Sequence, residues 1–193
     1  MNIFFLLINR TYVCIIGLKE GASLNTHTIY YQTTALEDWV TNFYLKLNIY
    51  TPQDINENYI ASELGIFLHR KKMAPFFQIV GRYCGITIDI RDSQVKQREV
   101  FFHELCHVLR HSGNQGKMNK AFRELQEWDT KNFTIYAAIP HHMISYIPLN
   151  DENVIDQMVN IFRVTPELCE ERLNQIKKRV KQKENKTIMC TLN

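Results

Sequence analysis

Glycine, proline and cysteine are all scarce in this chain of 193 residues, at 7, 5 and 5 copies. So few glycines and prolines exclude a collagen-like or low-complexity chain, and 11 Phe, 9 Tyr and 2 Trp carry too much apolar ring surface for a mostly disordered one. Long hydrophobic runs are absent as well. Ile3 to Ile8 ends at Asn9 and Arg10, far short of the roughly 20 residues that a membrane-spanning helix needs, so no membrane association is expected. No Lys or Arg precedes that run and no small-x-small pattern follows it, which argues against a secretory leader. The cysteines, Cys14, Cys84, Cys106, Cys169 and Cys190, are odd in number and form no C-x-x-C pair. That excludes a disulfide framework or zinc knuckle and predicts a reducing, cytoplasmic setting.

The formal charge of +3 is unevenly spread. From Glu171 to Asn193 seven Lys or Arg face two Glu, giving +5, so the preceding residues carry −2. A basic helix end of this kind is a solvated terminus, and no basic run in the body supports a direct nucleic-acid role. Nothing in the sequence indicates an oligomeric state.

Periodicity and punctuation give the organisation. Tyr12 to Ile16 reads as a strand, followed by a polar stretch from Lys19 to Thr28. Leu36, Trp39, Val40, Phe43 and Leu47 fall at helical spacing, predicting a helix from Ala35 to Leu47. A second helix is expected from Pro52 to Leu64, with Thr51 as N-cap and Gly65 just past its end. Ala74 to Tyr83 and Ile86 to Ile90 are short aromatic or β-branched runs that predict a small antiparallel pair. Helical patterns then follow from Gln94 to His111, stopped at Ser112-Gly113, and from Met118 to Ile139, stopped by Pro140. Two shorter helices are expected at Asp151 to Phe162 and Pro166 to Lys183. One strand-bearing segment among helices is an α+β domain.

The helix from Gln94 to His111 contains His103-Glu104-Leu105-Cys106-His107. Four residues on a helix is about 40° of rotation and one turn of rise, so both imidazoles leave the same face and converge on one ion. Glu104 lies about 100° round from His103, beside the ion, where a general base for water belongs. Two His leave a tetrahedral metal one protein ligand short, and the following helix offers Glu124, Glu127 and Asp129. His111 has drifted about 80° and two turns from His103, which makes it a neighbour of the site or an exposed residue. Cys106 points away from the ion by spacing and reads as a buried thiol.

These residues resemble the ImmA/IrrE metallopeptidases, whose pattern is a helix with H-E-L-G-H and a second helix reading E-x-E-A-x-x-F-A before L-L-M-P. The corresponding stretches are Phe101 to His107, Glu127-Trp128-Asp129-Thr130-Lys131-Asn132-Phe133-Thr134, and Ala137-Ala138-Ile139-Pro140. The likeness is specific over Gln94 to Pro140 and loose over Ala35 to Lys183. Cys106 stands in place of Gly, Asp129 in place of the second Glu, and Thr130 and Thr134 in place of Ala.

The resemblance implies a zincin-like helical domain with a small antiparallel β-sheet. Residues 1–33 are then a poorly defined N-terminal extension, 34–146 the core, and 147–193 a C-terminal helical segment with a basic tail, in one compact domain. It implies Zn2+ held by His103, His107 and Glu127, with Asp129 the alternative third ligand, and Glu104 as the catalytic base and later acid. Tyr136, His141 and His142 are candidates for stabilising the oxyanion, and the strand at Ile86 to Ile90 for pairing with an extended substrate. The expected activity is a zinc endopeptidase whose protein substrate is a helix-turn-helix repressor of a phage or mobile element. The alternatives are a metal-binding regulator that displaces the repressor without cutting it, and an interaction protein in which the motif is accidental. The stripe Leu168, Leu173, Ile176 and Val180 is either core or a repressor-docking face.

Overall fold

The structure, a computed structural model, describes residues 4–8, 11–15, 29–111 and 119–190, and side chains over 31–111 and 119–179. The expected stop at Ser112-Gly113, the predicted start at Met118, and the stretch from Lys19 to Thr28 lie outside the described residues.

Two small sheets and six α-helices are present among them. Strands β1 (Phe4–Ile8), β2 (Thr11–Ile15) and β3 (Ile29–Gln32) form an antiparallel meander in that order. Helix α1 (Ala35–Lys46) starts at a capping box, in which the Thr34 hydroxyl accepts from the Glu37 N–H and the Glu37 carboxylate accepts from the Thr34 N–H.

The helix expected from Pro52 is broken in two. Pro52–Asp54 is a single 3-10 turn closed by the Asp54 carboxylate, which accepts from the Thr51 N–H, and the chain is extended at Ile55. Helix α2 (Glu57–Glu63) begins afresh because the Asn56 side chain accepts from the N–H groups of Asn58 and Tyr59. It ends as expected at Gly65, whose φ of +66° is cheap only for glycine.

The second sheet corrects the sequence reading. It has three strands, β4 (Phe67–Lys71), β5 (Phe76–Val80) and β6 (Tyr83–Asp89), in the order β4-β6-β5. β5 and β6 form the expected antiparallel hairpin, but β4 runs parallel to β6, so the sheet is mixed. The overall α+β, zincin-like class stands. Phe67-Leu68-His69-Arg70-Lys71 escaped notice because its side chains are exposed or half-buried and show no apolar alternation. β6 is central, with both edges paired, so its residues Ile86 to Asp89 cannot receive a substrate strand; the edges belong to β4 and β5, and of these β5 is the one that lies against α3.

Helix α3 (Gln94–Arg110) lies against β6 and β5 and packs on α4 (Lys120–Ala138). Ser93 caps α3 and Asn119 caps α4. Phe101, Phe102, Leu105 and Cys106 are fully buried on the inner face of α3, opposite Phe133, Ala137 and Ile86 in the same core. Helices α5 (Val154–Phe162) and α6 (Pro166–Cys190) complete the fold. Leu168, Leu173 and Ile176 of α6 are buried, which removes them as a docking face, while the side chain of Val180 lies outside the described residues.

A buried ionic cluster ties α6 to α1 and β3. Glu37 and Arg172 are both fully buried with 2.8 Å between their charged atoms, Arg179 also meets Glu37, and the Tyr31 hydroxyl donates to Glu37 at 2.6 Å. Burial pushes the Glu37 carboxyl up, but Arg172, the Tyr31 hydroxyl and Arg179 outweigh it and bring the carboxyl down to about 2. His141, stacked on Tyr31 beside this cluster, and His142, near Tyr44, are held down to about 4. Burial is the first cause for both; for His141, Glu37 opposes it and Arg172 adds to it.

These shifts predict acid lability in two stages. Both histidines are neutral in the folded protein and titrate ordinarily in the unfolded chain, so their contribution is full above about pH 6.5 and is lost toward pH 4. Glu37, whose folded value is depressed, contributes fully above about pH 4.5 and loses its share toward pH 2. Each histidine accounts for on the order of 3 kcal/mol. The His107 ring, also lowered to about 4, acts in the same sense and the Glu104 carboxyl, raised to about 7, in the opposite one, so thermal melts should on balance fall between about pH 6 and 4. An unchanged melting temperature at pH 4.5 would contradict the buried, neutral state of both rings.

Candidate metal centre

On α3 the i, i+4 spacing brings the two histidine rings together, with 3.2 Å between His103 Nε2 and His107 Nε2. Glu127, on the adjoining α4, reaches both: its carboxylate oxygens lie 3.6 Å from His103 Nε2 and 3.6 Å from His107 Nε2. One ligand atom from each of the three residues lies within 4.8 Å of the others, a span that two imidazoles and a carboxylate can close around a single divalent ion. The face is open on one side and sealed on the other. The side chains of His103 and Glu127 are 40% and 47% exposed, whereas that of His107 is 3% exposed.

Both rings are poised to be ligands. Burial lowers the His107 ring to about 4, reinforced by the neighbouring His103 and His111, and burial also lowers His103, with Glu127 opposing. Neutral imidazoles offer a lone pair; imidazolium does not.

Glu104 follows His103 on the helix and is almost entirely buried. Burial pushes its carboxyl up to about 7, the nearby Glu127 carboxylate adds to this, and a hydrogen bond from the Phe77 backbone opposes it. A carboxyl that titrates near neutrality can both take and return a proton. Phe77 was not legible as a site residue. It stands on β5, its ring is stacked on His107 with centroids 5.3 Å apart, and its backbone holds Glu104, so the edge strand buttresses both groups.

Asp129 is otherwise engaged. It accepts from Arg110 Nε at 2.9 Å and Arg110 Nη2 at 3.1 Å, and its Oδ2 lies 3.2 Å from His111 Nε2. Those contacts put Asp129 in a second group of potential ligands with His111 and Cys106, whose thiol is fully buried, as the sequence suggested. Glu124 is exposed and pairs with Lys120 instead. His111 contacts His107, with 2.9 Å between their Nδ1 atoms. The signal was present in the sequence, because His111 is i+4 from His107 even though it is two turns from His103.

None of the three oxyanion candidates stands at this face. The Tyr136 hydroxyl accepts from Arg179 at 2.8 Å and His141 packs on Tyr31, both beside the Glu37 cluster, and His142 is buried beside Tyr44. Among the described residues no helix is long and apolar enough to cross a membrane.

A helix bearing H-E-x-x-H, an acid from its neighbour and a mixed sheet along its flank place the protein in the zincin-like class, with a candidate divalent-metal site. Residues 61–174 match the model of the Peptidase M78 family, the IrrE N-terminal-like domain, and the chain belongs to this family of metallopeptidases. It is 35% identical over 146 residues to the phage-like element PBSX protein XkdA of Bacillus subtilis strain 168, covering 75% of this chain and 74% of that one. It is 32% identical over 146 residues to protein YqaB of the same organism, covering 75% of this chain and 85% of that one.

Proposed function

We propose that the protein is a zinc-dependent endopeptidase that cleaves a helix-turn-helix repressor of a phage or mobile element. The observation that carries the reading is the convergence of His103, His107 and Glu127 beside the buried carboxyl of Glu104. His103, His107 and Glu127 would hold the ion, and Asp129, fixed by Arg110, is the weaker choice for third ligand. Zinc in such a site supplies Lewis acidity toward a scissile carbonyl and an attacking water. Glu104 takes the proton of that water and returns it to the leaving amine, a dual role suited to a carboxyl raised to about 7.

The edge strand β5 gives an extended substrate segment a backbone to pair with next to His107, and the open side at His103 and Glu127 lets it approach. A phage or mobile-element setting is supported by the likeness to XkdA, a protein of the phage-like element PBSX. The repressor as substrate rests on the resemblance to the ImmA/IrrE family, whose relatives in phages and mobile elements act against such repressors.

The purified, zinc-loaded protein mixed with the helix-turn-helix repressor encoded beside it should give two defined fragments. Chelation should abolish them and added zinc restore them. Intact repressor released from its DNA, with no fragments at any zinc concentration, would replace cleavage by displacement.

A further inference from the structure

We infer that His111 and Asp129 are positioning residues that fix the ring of His107 for metal binding, through a chain His107–His111–Asp129–Arg110. The inference rests on the metal-site reading above. Its geometry is continuous: His107 Nδ1 to His111 Nδ1 is 2.9 Å, His111 Nε2 to Asp129 Oδ2 is 3.2 Å, and Arg110 closes on both oxygens of Asp129 at 2.9 and 3.1 Å.

With His107 as a ligand, the protons of the chain fall into one arrangement. A ligand His107 uses the lone pair of Nε2, which puts its proton on Nδ1. That proton is donated to His111 Nδ1, which must then be the acceptor, so the His111 proton is on Nε2 and is donated to the carboxylate of Asp129. Thr130 does not compete, because its hydroxyl donates to the Gln126 carbonyl at 2.8 Å. Arg110, with two N–H groups on Asp129, keeps that carboxylate an acceptor. With one proton on each ring, every donor in the chain meets an acceptor when the lone pair of His107 lies on Nε2, and that atom faces His103 and Glu127.

The same contacts explain why Asp129, although an acid on the correct helix, is not needed as the third ligand. It also separates the chain from the neighbouring group that includes Cys106, since a metal held by Cys106, His111 and Asp129 would take the very atoms the chain uses for hydrogen bonds.

Zinc affinity of the full-length protein, measured by competition with a chromophoric chelator, tests this without reference to turnover. His111→Leu should weaken zinc binding about 10- to 100-fold. His111→Asn, whose side-chain oxygen replaces Nδ1 as acceptor, should recover much of that loss, and Cys106→Ser should bind as wild type. Melting of the metal-free proteins checks folding, and if His111→Leu does not fold, Asp129→Asn should show a smaller loss of affinity in the same direction. Wild-type affinity in His111→Leu or, where that variant does not fold, in Asp129→Asn overturns the inference while leaving the metal site standing. A Cys106→Ser loss equal to that of His111→Leu overturns it by moving the ion to the other group. A wild-type protein that takes up no zinc overturns both the inference and the reading beneath it.

Discussion

Glu104→Gln is expected to lower repressor cleavage about 10²- to 10⁴-fold while zinc stays bound as in wild type. Glutamine keeps the shape of the side chain, and its carbonyl can still accept the hydrogen bond from the Phe77 backbone, but it cannot carry a proton. Its neighbours His103 and His107 are untouched, so metal content isolates the chemical step from binding. Fragment yield over time, measured against zinc stoichiometry of the same preparation, reads both. Cleavage within tenfold of wild type would assign the proton transfers to another group.

The largest loss of stability is expected from Arg172→Met. Arg172 and Glu37 are each fully buried, and an acid and a base in that position are tolerable only because each satisfies the other. Arg172 also donates to the Ile139 carbonyl at 3.2 Å and lies over the Tyr136 ring at 4.8 Å. Removing it leaves Glu37 with Arg179 and Tyr31 as its remaining partners in the cluster. A cost of about 3–5 kcal/mol follows, and a melting temperature lower by roughly 10 °C. The double substitution Glu37→Met with Arg172→Met should cost less than the sum of the two single ones, because it removes both fully buried charges together and leaves only Arg179, which keeps the Tyr31 and Tyr136 hydroxyls, without its acid. Urea unfolding of the three variants measures this. A loss under about 1 kcal/mol for Arg172→Met would mean that water or Arg179 replaces the missing charge.

This cluster also shows where sequence reasoning stopped. The helices were legible because their apolar residues recur at helical spacing: Phe101, Phe102 and Leu105 on α3 and Leu168, Leu173 and Ile176 on α6 face the core, whereas of the α1 stripe Leu36, Trp39, Val40, Phe43 and Leu47 only Val40 is fully buried and the inner face turns instead through Glu37, Thr41 and Tyr44. The first turns of α1, α3 and α6 are closed by Thr34, Ser93 and Thr165, whose hydroxyls accept from the N–H groups of Glu37, Lys96 and Leu168. Helical spacing does put Arg172 on the α6 stripe, four residues from both Leu168 and Ile176, but it cannot name Glu37 as the partner of Arg172 or Arg179, a contact across 135 residues or more. Tyr136 and the two histidines after Pro140 were drawn to the site by their place in the chain. The fold sends Tyr136 and His141 to that cluster and buries His142 beside Tyr44 instead.

At the metal centre, helix geometry made His103 and His107 converge and put Glu104 beside them, and the following helix was the evident source of an acid. Which acid depends on how α3 and α4 rotate against each other, a quantity the sequence does not carry. Glu127 and Asp129 are two residues apart and so project in directions about 160° apart; one reaches the paired rings and the other reaches Arg110 and His111. β4 was missed for a different reason. It is a parallel partner of β6 whose side chains face solvent, so backbone pairing rather than an apolar pattern holds it in place.

X-ray absorption of the zinc-loaded, full-length protein tests most directly that His103, His107 and Glu127 surround the ion. The account predicts a first shell of two imidazole nitrogens and oxygen at about 2.0–2.2 Å with no sulfur. A zinc–sulfur distance near 2.3 Å would place the metal with Cys106, His111 and Asp129 and contradict it.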